Sequence, residues 1–340
     1  MSPPGFAMGS IEMDSSVMES TIIPVASGKG GVGKTLISAN IAIALARMGH
    51  STVAVDLDLG GSNLYTYLGV PNKYPGIGDY LKGGVADFQD LVVPTPIPNL
   101  SFVPGDGKTP FLANITFEER RALINGIKNI RARYVILDLS AGSTFNTLNF
   151  FGIVKRGLCV TSFETPAVMN FVMFLRNFML RVLSGVVRSD KRVFEMVLSA
   201  FGDTARAEIM TVPYLVGQIS AINPRLAAAV EETCRRYRPA VVFNMGDDPE
   251  ELAVAGRIES TLQQGLAISP RFFGFVYHDE SVRVAAKKRE VLLTRYPTGR
   301  ASQGIIRLAK KIVSDWDSDA PETAMDLLER TRREQGAFRA

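Results

Sequence analysis

Eight consecutive residues, Gly28-Lys29-Gly30-Gly31-Val32-Gly33-Lys34-Thr35, carry the most concentrated chemistry in this chain. Glycines let a backbone fold tightly enough for successive N–H groups to point at one anion. A helix starting at the end of such a loop turns the positive end of its dipole to the same anion. Lys34 is placed to reach the outer phosphates of a nucleotide, and the Thr35 hydroxyl to ligate Mg2+. The predicted phosphate cradle is therefore Gly30, Gly31, Val32, Gly33, Lys34 and Thr35.

Two further segments deliver carboxylates. The apolar run 52–56 leads into Asp56-Leu57-Asp58, followed by Leu59-Gly60-Gly61-Ser62-Asn63-Leu64. Tyr134-Val135-Ile136-Leu137-Asp138 is a second apolar run with an acidic end, continuing through Ser140-Ala141-Gly142. The carboxyl ends of parallel strands are where an α/β fold places its chemistry. Carboxylates there suit two tasks, holding a hard cation and taking a proton from water.

Bringing these groups together requires alternating strands and helices. Strands are predicted at 21–27, 52–56, 100–103, 134–138, 157–161, 240–244 and 272–276, and helices at 34–48, 117–129, 249–264 and 300–316. The helix at 34–48 reads as amphipathic and stops at Gly49. Short buried strands alternating with helices give a doubly wound, mostly parallel α/β sheet. Residues 184–239 break the alternation and read as a mainly helical insertion in a domain spanning 21–317. Residues 1–20 read as a flexible leader, and 318–340 as a charged tail with a short helix at 321–335. The apolar run 168–187 is interrupted by Asn170, Arg176, Asn177 and Arg181, so a buried or partner-facing helix is expected rather than a membrane span.

The loop with its early lysine resembles the deviant Walker A box of the MinD/ParA family of P-loop ATPases. The resemblance implies ATP/ADP and Mg2+ as cofactors and a homodimer in the ATP state. Lys29 would then cross to the nucleotide of the partner subunit, with ATP sandwiched between two copies. By the same match, Lys29, Lys34 and Asp58 are the catalytic residues, Asp58 orienting or activating the attacking water. Asp138 would hold a Mg2+-bound water beside Thr35, and the Gly142 N–H would sense the γ-phosphate. Asp56 has two readings, support of the Mg2+ shell or a cap for the following helix. Asn244, at the end of Val241-Val242-Phe243-Asn244, is either an adenine contact or a plain surface residue after a strand. The family usually has Pro or Gly where this chain has Ser140, which bears on the hydrolysis rate.

Within the family, the pattern is nearest the MinD branch and its flagellar-number regulators of the FlhG or FleN type. These control the position or number of an assembly and are stimulated by a protein partner. A ParA-like DNA-partition ATPase and an ATP-binding module with little hydrolysis are the alternatives. The helix around Phe171, Met173, Phe174, Phe178 and Met179 is either core or a docking face, with core the simpler reading. Arg225, Arg235, Arg236 and Arg238 read as a solvated face ahead of a DNA contact.

Composition narrows the field. The chain has 340 residues, 46% hydrophobic and 21% charged, with net charge +4 and no dense basic run, so it buries a large core. Cys159 and Cys234 lack CxxC spacing, which argues against a zinc site, a disulfide framework or an iron–sulfur carrier. No tyrosine follows Tyr296, against the Tyr-rich tail of a bacterial tyrosine kinase. Without a secretory signal the expected location is cytoplasmic. Peripheral contact with the inner face of a membrane, or with DNA, is left open.

Overall fold

The computed structural model describes residues 20–105, 115–202 and 211–339. The expected leader, except for Ser20, lies outside them. Eight strands form one sheet: β1 (Thr21–Ala26), β2 (Thr52–Leu57), β3 (Val93–Pro94), β4 (Leu100–Val103), β5 (Tyr134–Leu139), β6 (Leu158–Thr161), β7 (Ala240–Gly246) and β8 (Arg271–Tyr277). Their order is β3-β4-β2-β5-β1-β6-β7-β8, and only the β3–β4 pairing is antiparallel. From β1 the chain first builds toward one side, through β2 and β4. It then returns through β5 and crosses to β6, β7 and β8. The loop after β1 therefore opens at the switch point of the sheet, where α/β proteins hold ligands.

Helices cover both faces. They are α1 (Lys34–Arg47), α2 (Leu64–Leu68), α3 (Ile77–Leu81), α4 (Phe117–Lys128), α5 (Phe145–Phe151), α6 (Thr165–Val186), α7 (Lys191–Gly202), α8 (Val212–Ser220), α9 (Pro224–Arg236), α10 (Ala253–Leu266), α11 (Glu280–Lys288), α12 (Leu292–Arg295), α13 (Arg300–Asp315) and α14 (Ala324–Arg339). The pleat sends successive strand residues to opposite cores. Val53, Val55, Val135 and Leu137 enter one, while Ala54 and Ile136 enter the other. This is why the strands read as continuous apolar runs rather than as alternating ones.

Three features differ from what the sequence suggested. First, α1 is not amphipathic: its residues from Leu36 to Ala46 are all buried. The helix is enclosed by the sheet on one side and by α13, α2 and α12 on others, so it has no solvent face. Its alanines and Ser38 keep that double-sided packing close. Second, the helical crossover between β6 and β7 begins at Thr165, earlier than expected, and consists of α6 to α9. In α6, Phe171, Phe174, Phe178 and Met179 are buried, while Met169 and Met173 are exposed. By length and apolarity α6 could cross a membrane, yet much of it belongs to this core.

Third, the charged segment after 317, where a short helix was expected, is docked on the domain. It ends in α14, which packs on β8 and α10 and buries Ala324, Leu327 and Thr331. Glu322 receives Arg271, Arg330 and Lys311, and Arg271 itself is buried. Glu322 in this charged segment is thus the partner of a cation, Arg271, held inside the fold.

Candidate functional site

The phosphate loop lies between the end of β1 and the start of α1. Gly33 stands at the helix N-cap with φ 86°, a left-handed conformation suited to glycine, and no side chain caps the helix. The first N–H groups of a fully embedded helix are thus left for another acceptor. Gly28 is required for a different reason. A Cβ there would stand 2.1 Å from the Asn170 carbonyl oxygen of α6, so the loop rests directly on that helix. At Gly30 and Gly31 a Cβ would meet nothing within 4 Å, so the rim of the loop is open.

Lys34 is buried, and its Nζ donates to Asp138 Oδ1 at 2.8 Å. Ser38, one helical turn further along α1, donates to the same oxygen at 2.8 Å. Thr35 Oγ1 lies 3.4 Å from Lys34 Nζ. Asp138 Oδ2 is buried with no hydrogen-bond partner. A buried carboxylate oxygen without a donor is costly, and a hydrated cation would satisfy it. The donor set Thr35–Asp138 therefore fits Mg2+.

Asp56 and Asp138 are register partners on the neighbouring strands β2 and β5. Asp56 is fully buried and organises the loop that follows it. Its Oδ1 accepts from the Asp58 N–H at 3.1 Å, and its Oδ2 from Ser62 Oγ at 2.6 Å and the Leu64 N–H at 3.0 Å. Burial, and then the charge of Asp138, push the Asp56 carboxyl up to about 7, against the lowering effect of those three donors. Asp58 is less buried, and its Oδ1 accepts from Ser140 Oγ at 2.9 Å.

Switch-like contacts join the remaining residues. The Gly142 N–H donates to Ser27 O at 2.8 Å, so it would have to leave that carbonyl to meet a phosphate. Asn244 is buried at the end of β7, and its Nδ2 donates to Val32 O at 2.9 Å. It thereby braces the loop from below. Lys29 is exposed on the rim. The structure therefore gathers Lys34, Thr35, Asp138 and Asp56 at one point, with Asp58 and Gly142 on the surrounding loops and Asn244 in β7 beneath the phosphate loop.

Ser38, Ser62 and Ser27 were not singled out by sequence reasoning. For Ser38 a signal existed, since it sits at i+4 from Lys34 on the same helix face. Of the arginines considered for DNA, Arg235 and Arg236 pair with Glu232, and Arg238 reaches Asp319. Cys159 and Cys234 are buried free thiols, both held above the usual range by burial. Among the described residues no group of three His, Cys, Asp or Glu side chains forms a metal cluster.

Fold and loop together define a P-loop nucleotide-binding protein of the doubly wound α/β class. The chain belongs to the CobQ/CobB/MinD/ParA nucleotide-binding domain family, whose description matches residues 23–293. It is 34% identical over 151 residues to the septum site-determining protein MinD of Thermotoga maritima, covering 44% of this chain and 55% of that one. The chain spans about half the length of the MinD relatives it matches. To the antiactivator FleN of Pseudomonas aeruginosa it is 23% identical over 296 residues, covering 86% of each. The structure of MinD from Pyrococcus horikoshii complexed with Mg-ADP superposes with a TM-score of 0.55 at 20% identity, covering 88% of this chain and 98% of that one. A chain of the MinC:MinD cell division protein complex of Aquifex aeolicus gives 0.56 at 19% identity, covering 87% of this chain and 96% of that one. These likenesses share the fold.

Proposed function

We propose that the chain is an ATP-hydrolysing switch that pairs with a second copy around ATP and so sets the position or number of a cellular assembly. The observation that carries this reading is the convergence of Lys34 and Ser38 on one oxygen of Asp138, beside the Thr35 hydroxyl, while the second oxygen is buried and unpartnered. Lys34, drawn to the phosphates, would leave Asp138. Asp138 and the Thr35 hydroxyl would then turn to Mg2+. The bound ion supplies charge neutralisation on the phosphates.

Asp58 would orient the attacking water. The water oxygen bonds to the γ-phosphorus as the bond to the β–γ bridging oxygen breaks, ADP leaves, and the water's proton ends on the phosphate product. The exposed Lys29 would reach the partner's phosphates and cancel charge there. An activating protein partner would set the rate, and membrane or DNA contact would supply the surface on which the switch works. The role in placement follows the septum site-determining relative.

The test is solution molar mass with Mg2+ and ADP, then Mg2+ and ATP, for wild type and Lys29→Ala. The expected result is an ATP-specific dimer that Lys29→Ala loses. A monomer in every state, with nucleotide still bound, would overturn the sandwich.

A further inference from the structure

We propose that Ser140 is a positioning residue that fixes the carboxylate of Asp58 for its work on water. This rests on Asp58 having that role. Leu57 and Leu139 are register partners at the ends of β2 and β5, so positions 58 and 140 leave two adjacent parallel strands side by side. Across that step Ser140 Oγ donates to Asp58 Oδ1 at 2.9 Å. The next acceptor, Leu57 O, is 3.5 Å away, so the carboxylate is the favoured partner.

The Asp58 backbone is already held on both sides, its N–H by Asp56 Oδ1 and its carbonyl by the Gly61 N–H. Its side chain is a different matter. A carboxylate rotates in a broad well about its last torsion. Among the described residues, the Ser140 hydroxyl is the side-chain donor that stops this rotation, and Asp58 Oδ2 accepts no hydrogen bond. The arrangement leaves one oxygen anchored and the other free for water. An O–H donor to an ionised carboxylate is among the stronger hydrogen bonds. Both residues stand one position beyond the paired ends of β2 and β5, which sets the spacing of this contact. A residue without a hydroxyl at 140 leaves Asp58 Oδ1 without this donor.

The test uses the full chain as wild type, Ser140→Ala, Ser140→Thr, Asp58→Ala and the Asp58→Ala/Ser140→Ala double variant. Single-turnover phosphate release with Mg2+ and ATP gives the rate, and a non-hydrolysable ATP analogue gives the affinity. Ser140→Ala is expected to lose about tenfold in rate, on the order of one charged hydrogen bond, with analogue affinity unchanged. Ser140→Thr, which keeps the hydroxyl, restores the rate. On the Asp58→Ala background, removing the hydroxyl costs nothing further. If Asp58→Ala is inactive while Ser140→Ala runs at the wild-type rate, the positioning role alone is overturned. A Ser140→Ala loss that persists in full on the Asp58→Ala background overturns it as well. If Asp58→Ala itself turns over like wild type, the reading of Asp58 fails and this proposal falls with it.

Discussion

Lys34 Nζ lies 2.8 Å from Asp138 Oδ1, closing an ion pair between the phosphate loop and the centre of the sheet. Both side chains are almost wholly buried, so each is the other's main compensation for leaving water. The pair ties the cost of moving Lys34 to what becomes of Asp138. Phosphate alone takes the cation and strands the carboxylate, whereas a magnesium nucleotide replaces what it removes.

Asp138→Ala is therefore expected to weaken the fold as well as the site. Stripping one partner from a buried pair costs about 3 kcal/mol. Urea unfolding without nucleotide should show this loss, and Mg2+ should no longer improve ATP affinity. An unchanged unfolding midpoint would mean that Lys34 finds another partner.

Asp56 predicts a pH dependence. Its carboxyl, raised to about 7 by burial and then by Asp138, holds its proton more tightly folded than unfolded. Its contribution to stability is thus complete at low pH, where both states are protonated. It declines as the pH rises from about 4 to about 7 and is flat above that. Unfolding free energies of nucleotide-free protein measured between pH 5 and 8 should fall along this curve. In Asp56→Asn that part of the slope should vanish.

Gly28 and Gly30 should respond oppositely to alanine. At Gly28 the new Cβ collides with the Asn170 carbonyl, and overpacking of this kind costs about 1–3 kcal/mol. At Gly30 the Cβ meets no protein atom, so stability should change by less than about 0.5 kcal/mol. Thermal melts of the two variants, side by side, check this. Equal destabilisation would show that the loop does not rest on α6 as described.

Asn244 offers a choice between bracing the loop and reading the base. Its Nδ2 is already spent on Val32 O, so Asn244→Ala should weaken ATP and inorganic tripolyphosphate by the same factor. Competition binding with both ligands measures this. A loss confined to ATP would identify a base contact instead.

Much of this was legible in the sequence because its signals are local. The strand–loop–helix around Lys34 and the acidic ends of β2 and β5 announce themselves within ten residues. What escaped depends on distant neighbours. The full burial of α1 is imposed by α13, more than 250 residues later, so an alanine-rich stretch read as one-sided proved covered on both. Ser140 and Asp58 lie 82 positions apart and meet through strand register, which single-sequence patterns do not encode. The docking of the charged C-terminal stretch escaped for a related reason: Glu322 meets its partners Arg271 and Lys311 from two other elements, β8 and α13.

That stretch has a consequence beyond its salt bridges. β8 is the last strand on its side of the sheet, and an outermost strand exposes backbone groups on which another chain can pair. Here the Phe272 N–H donates to Glu322 O at 2.9 Å, while Lys311 and Arg330 cover Phe273 O at 3.1 and 3.0 Å. The segment leading into α14, with Lys311 of α13 and Arg330 of α14, thus shields backbone groups of this outermost strand. A chain cut short before Ser318 would keep its nucleotide loop and still tend to join edge to edge into strand-paired aggregates.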